Sequence, residues 1–347
     1  MSKTISFNPL TLPTYVMAKP AGSICNLNCS YCYYLEKEKL YQNRKKLEMS
    51  DELLELFTKS YIEAQPVKEV LFTWHGGETL LRDISFYRKA LLYQRKYGRG
   101  RVITNTLQTN GVLLTDEWCR FFKDNNFLIG ISIDGPEHCH DAYRKNKGGA
   151  GTFRQVMRGI ELLQKHGVDF NTLSVINDYN VQFPLDVYRF FKEIGSQFMQ
   201  FAPIVERVSD FRPDGLKLLP PEENVEADLA SWTVNPVKFG QFYIEIFDEW
   251  VRNDVGTWYV QLFDSTLANA VGAQPGVCIF AETCGHAAAL EFNGDLYACD
   301  HYVFPEYKLG NIRTQTIFEM MFQERQLQFG ADKRDKLPTQ CRECDVL

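Results

Sequence analysis

"SICNLNCSYCYY", residues 23–34, places Cys25, Cys29 and Cys32 within eight residues, and no fourth cysteine stands near them. Structural zinc closes a tetrahedron with four ligands and commonly pairs its cysteines two apart. Three thiolates instead suit a four-iron cubane that keeps one iron open, as catalytic metal sites keep a position for substrate. A zinc knuckle completed by a distant histidine, or three buried cysteines, are the plainer alternatives. The preceding "TYVMAKP" (14–20) reads as a strand, which makes the cysteine stretch the loop that follows it.

Outward from that loop the chain alternates. Further strands are expected at "EVLFTWHGG" (69–77), "RVITNTLQTNG" (101–111), "FLIGISIDG" (127–135), "VDFNTLSVIN" (168–177) and "QFMQFAPIV" (197–205). Helical stretches lie between them. In "TFRQVMRGIELLQKHG" (152–167), Phe153, Val156, Met157, Ile160 and Leu163 recur at helical spacing. Thr152 with Gln155 reads as a capping box and Gly167 as the C-terminal stop. Ser50 reads as the cap of "SDELLELFTKSY", with Asp51 and Glu52 at the positive helix end. Six strand–helix units imply a parallel sheet with right-handed crossovers. They are too few for a closed eight-unit barrel, which leaves an open doubly wound sheet or a partial barrel. In both, ligands sit at the carboxyl ends of the strands, where "HGGE", "QTNG" and "SIDG" gather.

With 347 residues the chain is longer than one core usually serves. A net charge of −6 argues against non-specific nucleic-acid binding. No apolar run is long enough to span a membrane, and "MSKTISFNPL" lacks the build of a signal peptide, so a cytoplasmic location is expected. Ten cysteines in a reducing compartment favour metal or catalytic use over disulfides. The 14% share of aromatic residues suits either a large core or a peptide-binding cavity. Residues 206–235, rich in Pro and charge, read as a connection. A helix is expected near 236–252, where Phe239, Phe242, Ile246 and Trp250 keep helical spacing. From Cys278 onward helical periodicity fades and short strands take over. The expected organisation is a core at 1–235, a connecting helical region at 236–277 and a cysteine-rich module at 278–347.

The Cys25-x3-Cys29-x2-Cys32 spacing, with Tyr33 following, resembles the signature of the radical S-adenosylmethionine (radical SAM) enzymes. The fold this implies is a partial (β/α)6 TIM-like barrel, with a [4Fe-4S] cluster whose open iron takes SAM. Gly76, Gly77 and Glu78 stand where that family binds the SAM amino group. Two glycines permit close backbone approach and a carboxylate suits an ammonium. By the same resemblance Asn110 in "TNG" and Ser132 in "SIDGP" become later contacts to SAM. Arg144 becomes the partner of its carboxylate, a bidentate task that suits a guanidinium, and Tyr31 and Val205 contacts to its adenosine part. Cys278, Cys284, Cys299, Cys341 and Cys344 resemble a SPASM extension, whose cysteines hold auxiliary [4Fe-4S] clusters. The first three would serve one cluster and the last two another. Such modules continue with further cysteines, whereas this sequence stops three residues after Cys344. The module is therefore expected to be truncated and its ligand sets incomplete.

Taken together, "WHGGE", "QTNG", "SIDGP" and the "CD" of Cys299–Asp300 are similar to the anaerobic sulfatase-maturating enzymes. The resemblance implies oxidation of a Cys or Ser in an unfolded C/S-x-P-x-R segment of a sulfatase to Cα-formylglycine. It makes Asp300 the general base, expected to be tuned upward beside a cluster. A flavodoxin or ferredoxin becomes the electron donor, with neither nucleic acid nor membrane as partner. Alternatives are another SPASM-type peptide maturase, such as one forming thioether crosslinks, and a non-catalytic zinc protein. His75, His286 and His301 read as structural, and Cys119, on a helix, and Cys139, in a loop, as free thiols. Metal analysis after anaerobic purification separates the metal readings. About four irons and four sulfides per cluster are expected, and stoichiometric zinc without sulfide would sink the iron–sulfur reading.

Overall fold

The computed structural model describes residues 13–42, 46–210, 212, 214–220, 223, 226–274 and 276–345. The start of the expected core (1–12), parts of the 206–235 connection and the end of the expected module (346–347) lie outside them. The first half alternates as the sequence implies. Its elements are β1 (Tyr15–Lys19), α1 (Asp51–Glu63), β2 (Glu69–Trp74), α2 (Ile84–Tyr97), β3 (Val102–Thr109) and α3 (Asp116–Asp124). Then come β4 (Phe127–Ser132), α4 (Glu137–Tyr143), α5 (Phe153–Lys165), β5 (Phe170–Ile176), α6 (Pro184–Glu193) and β6 (Phe198–Pro203).

These six strands are all parallel, and their order in space is their order in sequence. A doubly wound sheet reverses its order at a switch point. With no reversal, right-handed crossovers set every helix on one side, and the sheet curves as a partial barrel. Leu107, Ile129, Ile131 and Ile176 point to the helical layer and are buried with Phe122, Val156, Leu163 and Phe191. The alternate positions Thr106, Gln108, Gly130 and Ser132 stay partly exposed and give the opposite face a polar lining. Much of the aromatic content goes to the outer core. Phe57, Trp74 and Tyr87 meet edge to face at 6.2 and 5.7 Å between centroids.

The caps correct one expectation. Ser50 Oγ accepts from Leu53 N at 3.2 Å as expected, but Thr152 and Gln155 form no capping box. The Asp141 carboxylate, arriving from α4, accepts from Thr152 N at 2.7 Å and Phe153 N at 2.9 Å. An anion favours the positive helix end more than a hydroxyl does, which frees Thr152 Oγ1 to donate to Arg144 O at 3.0 Å. Gly167, at φ +62°, follows the C-cap residue and stops the helix in the left-handed region. Cys139 lies on α4 rather than in a loop, and it and Cys119 on α3 are fully buried.

The connection pairs β7 (Arg207–Val208) with β8 (Asp228–Leu229). Then α7 (Pro236–Asn253) buries Phe242, Ile246 and Trp250, β9 (Tyr259–Val260) joins β6, and α8 (Gln261–Ala270) follows. In the C-terminal segment β10 (Ala287–Glu291) pairs in parallel with β1. Beyond it β11 (Asp295–Tyr297) and β12 (Lys308–Asn311) add antiparallel strands, which completes a ten-stranded sheet. Leu290, Leu296, Ile317 and Met320 share one core with Leu54 and Phe57 of α1. The chain ends with α9 (Ile317–Met321), α10 (Glu324–Asp335) and α11 (Thr339–Arg342). Helix thus persists after Cys278, against expectation. Only Gln326 and Gly330 of α10 are buried, so no apolar stripe announces it. Among the described residues no helix is long and apolar enough to cross a membrane.

The cap exchange is testable by urea unfolding. Asp141→Ala is expected to cost about 1 kcal/mol, and Gln155→Ala to stay within about 0.5 kcal/mol of wild type.

Candidate active site

The cysteine loop leaves β1 at Lys19 and turns through Gly22, at φ +55°. The turn after β2 grips it from one side. Gly77 N donates to Gly22 O and Glu78 N to Ile24 O, each at 2.8 Å. The fit leaves no room, since a Cβ on Gly77 would stand 2.1 Å from the Ile24 carbonyl oxygen. The two glycines therefore admit the backbone of the cysteine loop itself. The other side is held by the segment after α4, where Lys145 O accepts from Asn28 N at 2.8 Å and Tyr143 O from Ser30 N at 3.1 Å.

None of the ten cysteines is in a disulfide. Cys25, Cys29 and Cys32 are partly exposed and lie within electrostatic reach of one another. Burial pushes the Cys25 thiol up to about 12 and the Cys29 thiol to about 11, and raises Cys32. Metal binding to such thiols takes the thiolate and releases the proton. Leu27 N donates to Cys25 Sγ at 3.4 Å, and Asn110 Nδ2 at 3.7 Å, the kind of N–H···S contact that tunes iron–sulfur clusters. Among the described residues no three His, Cys, Asp or Glu side chains converge on one ion position. Three thiolates with one position left open fit a four-iron cubane, whereas structural zinc takes four ligands.

The expected SAM-contacting residues meet at the same end of the sheet, with several differences. The Glu78 carboxylate has partners within the scaffold. It is buried and accepts from Leu80 N at 2.9 Å, Thr109 Oγ1 at 2.7 Å and Asn110 N at 2.9 Å. It thus ties the β2 turn to the β3 turn. Asn110 Nδ2 also donates to Asn26 Oδ1 at 2.8 Å, and Gln108 Nε2 to Ser132 Oγ at 2.9 Å. Arg144 is held by Asp134 through a pair at 3.0 Å and a hydrogen bond at 3.1 Å. Burial opposes its charge, but Asp134 keeps it protonated beyond its ordinary range. Tyr31 is buried, and its hydroxyl donates to Asp134 Oδ2 at 2.5 Å. Val205 stands 61% exposed just past β6, on the rim.

Asp300, directly after Cys299, receives the Tyr33 hydroxyl on Oδ2 at 2.5 Å, and Tyr33 directly follows Cys32. This one hydrogen bond joins the two cysteine motifs. Lys19 Nζ forms an ion pair with Asp300 Oδ1, and His301 stacks on Tyr33 at 5.7 Å. The expected upward tuning of Asp300 is overturned. Burial alone would raise it, but Lys19, His75 and His301 together hold its carboxyl below the ordinary range. His75 is pushed down to about 4 by burial, and its Nδ1 accepts from Gly76 N at 2.8 Å. Sequence reasoning missed Lys19 and Glu291. Both signals were visible, as each is a charge closing an apolar strand ("VMAK", "AALE").

In the C-terminal segment Cys278, Cys284 and Cys299 come within electrostatic reach of one another, and burial pushes Cys299 up to about 12. Lys333 of α10 secures the Cys278 turn by donating to Cys278 O at 2.5 Å and Ile279 O at 3.0 Å. Cys284 N donates to Gly330 O at 3.1 Å. These three thiols fit one auxiliary cluster. Cys341 and Cys344 adjoin each other on α11 and just past it, with Cys344 N donating to Cys341 O at 3.2 Å. Two thiols are half the ligands of a closed cubane.

Comparison with known proteins agrees with this geometry. Residues 20–191 match the radical SAM superfamily and residues 278–345 an iron–sulfur cluster-binding domain. The chain is 58% identical to a serine-type anaerobic sulfatase-maturating enzyme of Bacteroides thetaiotaomicron, over 99% of this chain and 83% of that protein. It is 30% identical to a cysteine-type anaerobic sulfatase-maturating enzyme of Clostridium perfringens, over 96% and 86%. Among solved structures, native anSMEcpe with bound AdoMet and Cp18Cys peptide superposes with a TM-score of 0.82 at 30% identity, over 95% of this chain and 86% of that one.

The glycine contact predicts a selective defect. In Gly77→Ala the added Cβ must displace the Ile24 backbone, so reconstituted iron is expected to fall while the far-UV circular dichroism stays native. Wild-type iron loading would show that the contact does not shape the thiol loop.

Proposed function

This chain belongs to the anaerobic sulfatase-maturating enzymes of the radical SAM superfamily, and from that membership we propose that it oxidises a serine of an unfolded sulfatase segment to Cα-formylglycine. The observation that carries the reading is the Tyr33–Asp300 hydrogen bond, which sets a carboxylate between the two cysteine motifs. Serine rather than cysteine is supported by the 58% identity to a serine-type enzyme against 30% to a cysteine-type one. The substrate segment is proposed to carry the C/S-x-P-x-R pattern, the donor to be a flavodoxin or ferredoxin, and the setting to be cytoplasmic.

Cys25, Cys29 and Cys32 would hold the [4Fe-4S] cluster that takes SAM, and Cys278, Cys284 and Cys299 three corners of an auxiliary one. When bound, these groups supply a 5′-deoxyadenosyl radical that removes a Cβ hydrogen atom and an acceptor for the second electron. The chain's own residues do the rest. Asp300 accepts the hydroxyl proton as the carbon–oxygen double bond forms. A carboxylate held below its ordinary range is ionised at neutral pH and ready to accept, though it is a weaker base than an upward-tuned one. Glu78, Asn110, Ser132 and Gln108 fix the strand ends around the SAM position. Asp134 carries Arg144 and Tyr31 as one unit, with Arg144 supplying the positive charge for the SAM carboxylate.

Three assays on reconstituted anaerobic protein test this. Wild type with SAM, dithionite and a serine-containing peptide is expected to form 5′-deoxyadenosine and peptide aldehyde, and more aldehyde than with the cysteine peptide. Cys25→Ala is expected to abolish both products. Asp300→Asn is expected to keep 5′-deoxyadenosine formation and to lower aldehyde by about a hundredfold. Absence of aldehyde from both peptides with the wild-type enzyme would refute the reading.

A further inference from the structure

We propose that Lys19 is the positioning residue for Asp300, its ammonium holding the carboxylate against the substrate's reacting hydroxyl while Glu291 balances the ammonium from behind. The proposal rests on the reading of Asp300 as the base. Lys19 is the last residue of β1 and is fully buried. Its Nζ contacts Asp300 Oδ1 and lies 3.5 Å from the centre of the Tyr34 ring. A buried lysine is costly unless paired, and here one face meets a carboxylate and another an aromatic ring. The strand register sets Glu291 of β10 directly opposite Lys19. Glu291 is also fully buried, accepts the Tyr34 hydroxyl on Oε1 and keeps Oε2 without a hydrogen-bond partner. Burial raises Glu291 to about 7 against the pull of Lys19.

Asp300 is thus held from two sides, by Lys19 on Oδ1 and by Tyr33 on Oδ2, with 15% of its side chain exposed. Two holds on a short side chain leave it one direction in which to accept a proton. The alternative is a structural ion pair that merely fastens β1 to the C-terminal segment. The two differ in what fails first. Loss of a fastening lowers stability and every activity together. Loss of positioning leaves hydrogen-atom removal intact and starves the proton transfer that follows it. In that transfer the hydroxyl proton goes to Asp300 and the carbon radical becomes the aldehyde carbon, while an auxiliary iron–sulfur cluster held by Cys278, Cys284 and Cys299 would accept the one electron released.

The experiment uses holoenzyme, SAM and a peptide whose serine carries deuterium at Cβ. It reads deuterated 5′-deoxyadenosine, aldehyde, KM for the peptide and bound iron. In Lys19→Met the ratio of aldehyde to deuterated 5′-deoxyadenosine is expected to fall on the order of a hundredfold, with KM and iron at wild-type values. Lys19→Arg is expected to restore part of the ratio. Should Lys19→Met fail to fold, the double variant Lys19→Met/Glu291→Gln removes the second buried charge and is expected to show the same low ratio. An unchanged ratio in the folded variant overturns the proposal while leaving the function intact. No aldehyde from wild type would overturn the function and this proposal with it.

Discussion

The contact between Gly77 and the Ile24 carbonyl is the constraint on which the site's geometry rests. The loop buries Leu27, Tyr31 and Tyr34, but its three thiols are only partly buried, so apolar packing does not by itself set their backbone. Two backbone hydrogen bonds from Gly77 and Glu78 grip it on the side of the β2 turn, each worth about 1 kcal/mol net, and their close approach requires that residue 77 have no side chain. Glu78 then ties the same turn to β3 through Asn110, which reaches back to the first thiol. The cysteine loop, the β2 turn and the β3 turn form one rigid piece, which is what a ligand held at three points requires.

Charge is the second organising principle. Asp134–Arg144 is buried and Asp300–Lys19 nearly so, and breaking a buried pair by removing one partner costs about 3–5 kcal/mol. Replacing both partners with apolar groups is often neutral, so stability alone is weak reason to keep them. Their location gives the reason. Each sits directly beside a thiol motif, Arg144 within electrostatic reach of Cys29 and Asp300 next to Cys299, where charge develops or moves.

Short apolar runs made all six core strands legible, and four of them, β2 to β5, run straight into Gly, Asn or Asp. The choice between partial barrel and doubly wound sheet was not, since it depends on spatial order, which no local pattern encodes. Helix α10 escaped because it buries almost nothing apolar. The capping box at Thr152 failed because a carboxylate from another helix competed for the same amides, a tertiary contact outside a four-residue window. The site residues were legible as motifs, whereas their contacts were not. That Glu78 faces the scaffold, and that Asp300 is lowered rather than raised, follow from Asn110 and Lys19, which only folding brings near. Lys19 itself carried a readable signal, a cation at the end of an apolar strand.

The pairing of β10 with β1 joins residues from nearly opposite ends of the sequence. Such contacts form late, because a long loop must close before they bring any gain. Until residues 287–291 arrive, β1 presents a bare row of amides and carbonyls along one edge of a sheet whose other strands are already paired. An open edge is a template for a neighbouring chain. The ladder that sets β10 beside β1 in the finished enzyme therefore makes its newly synthesised chain depend on residues 287–291 for protection against aggregation.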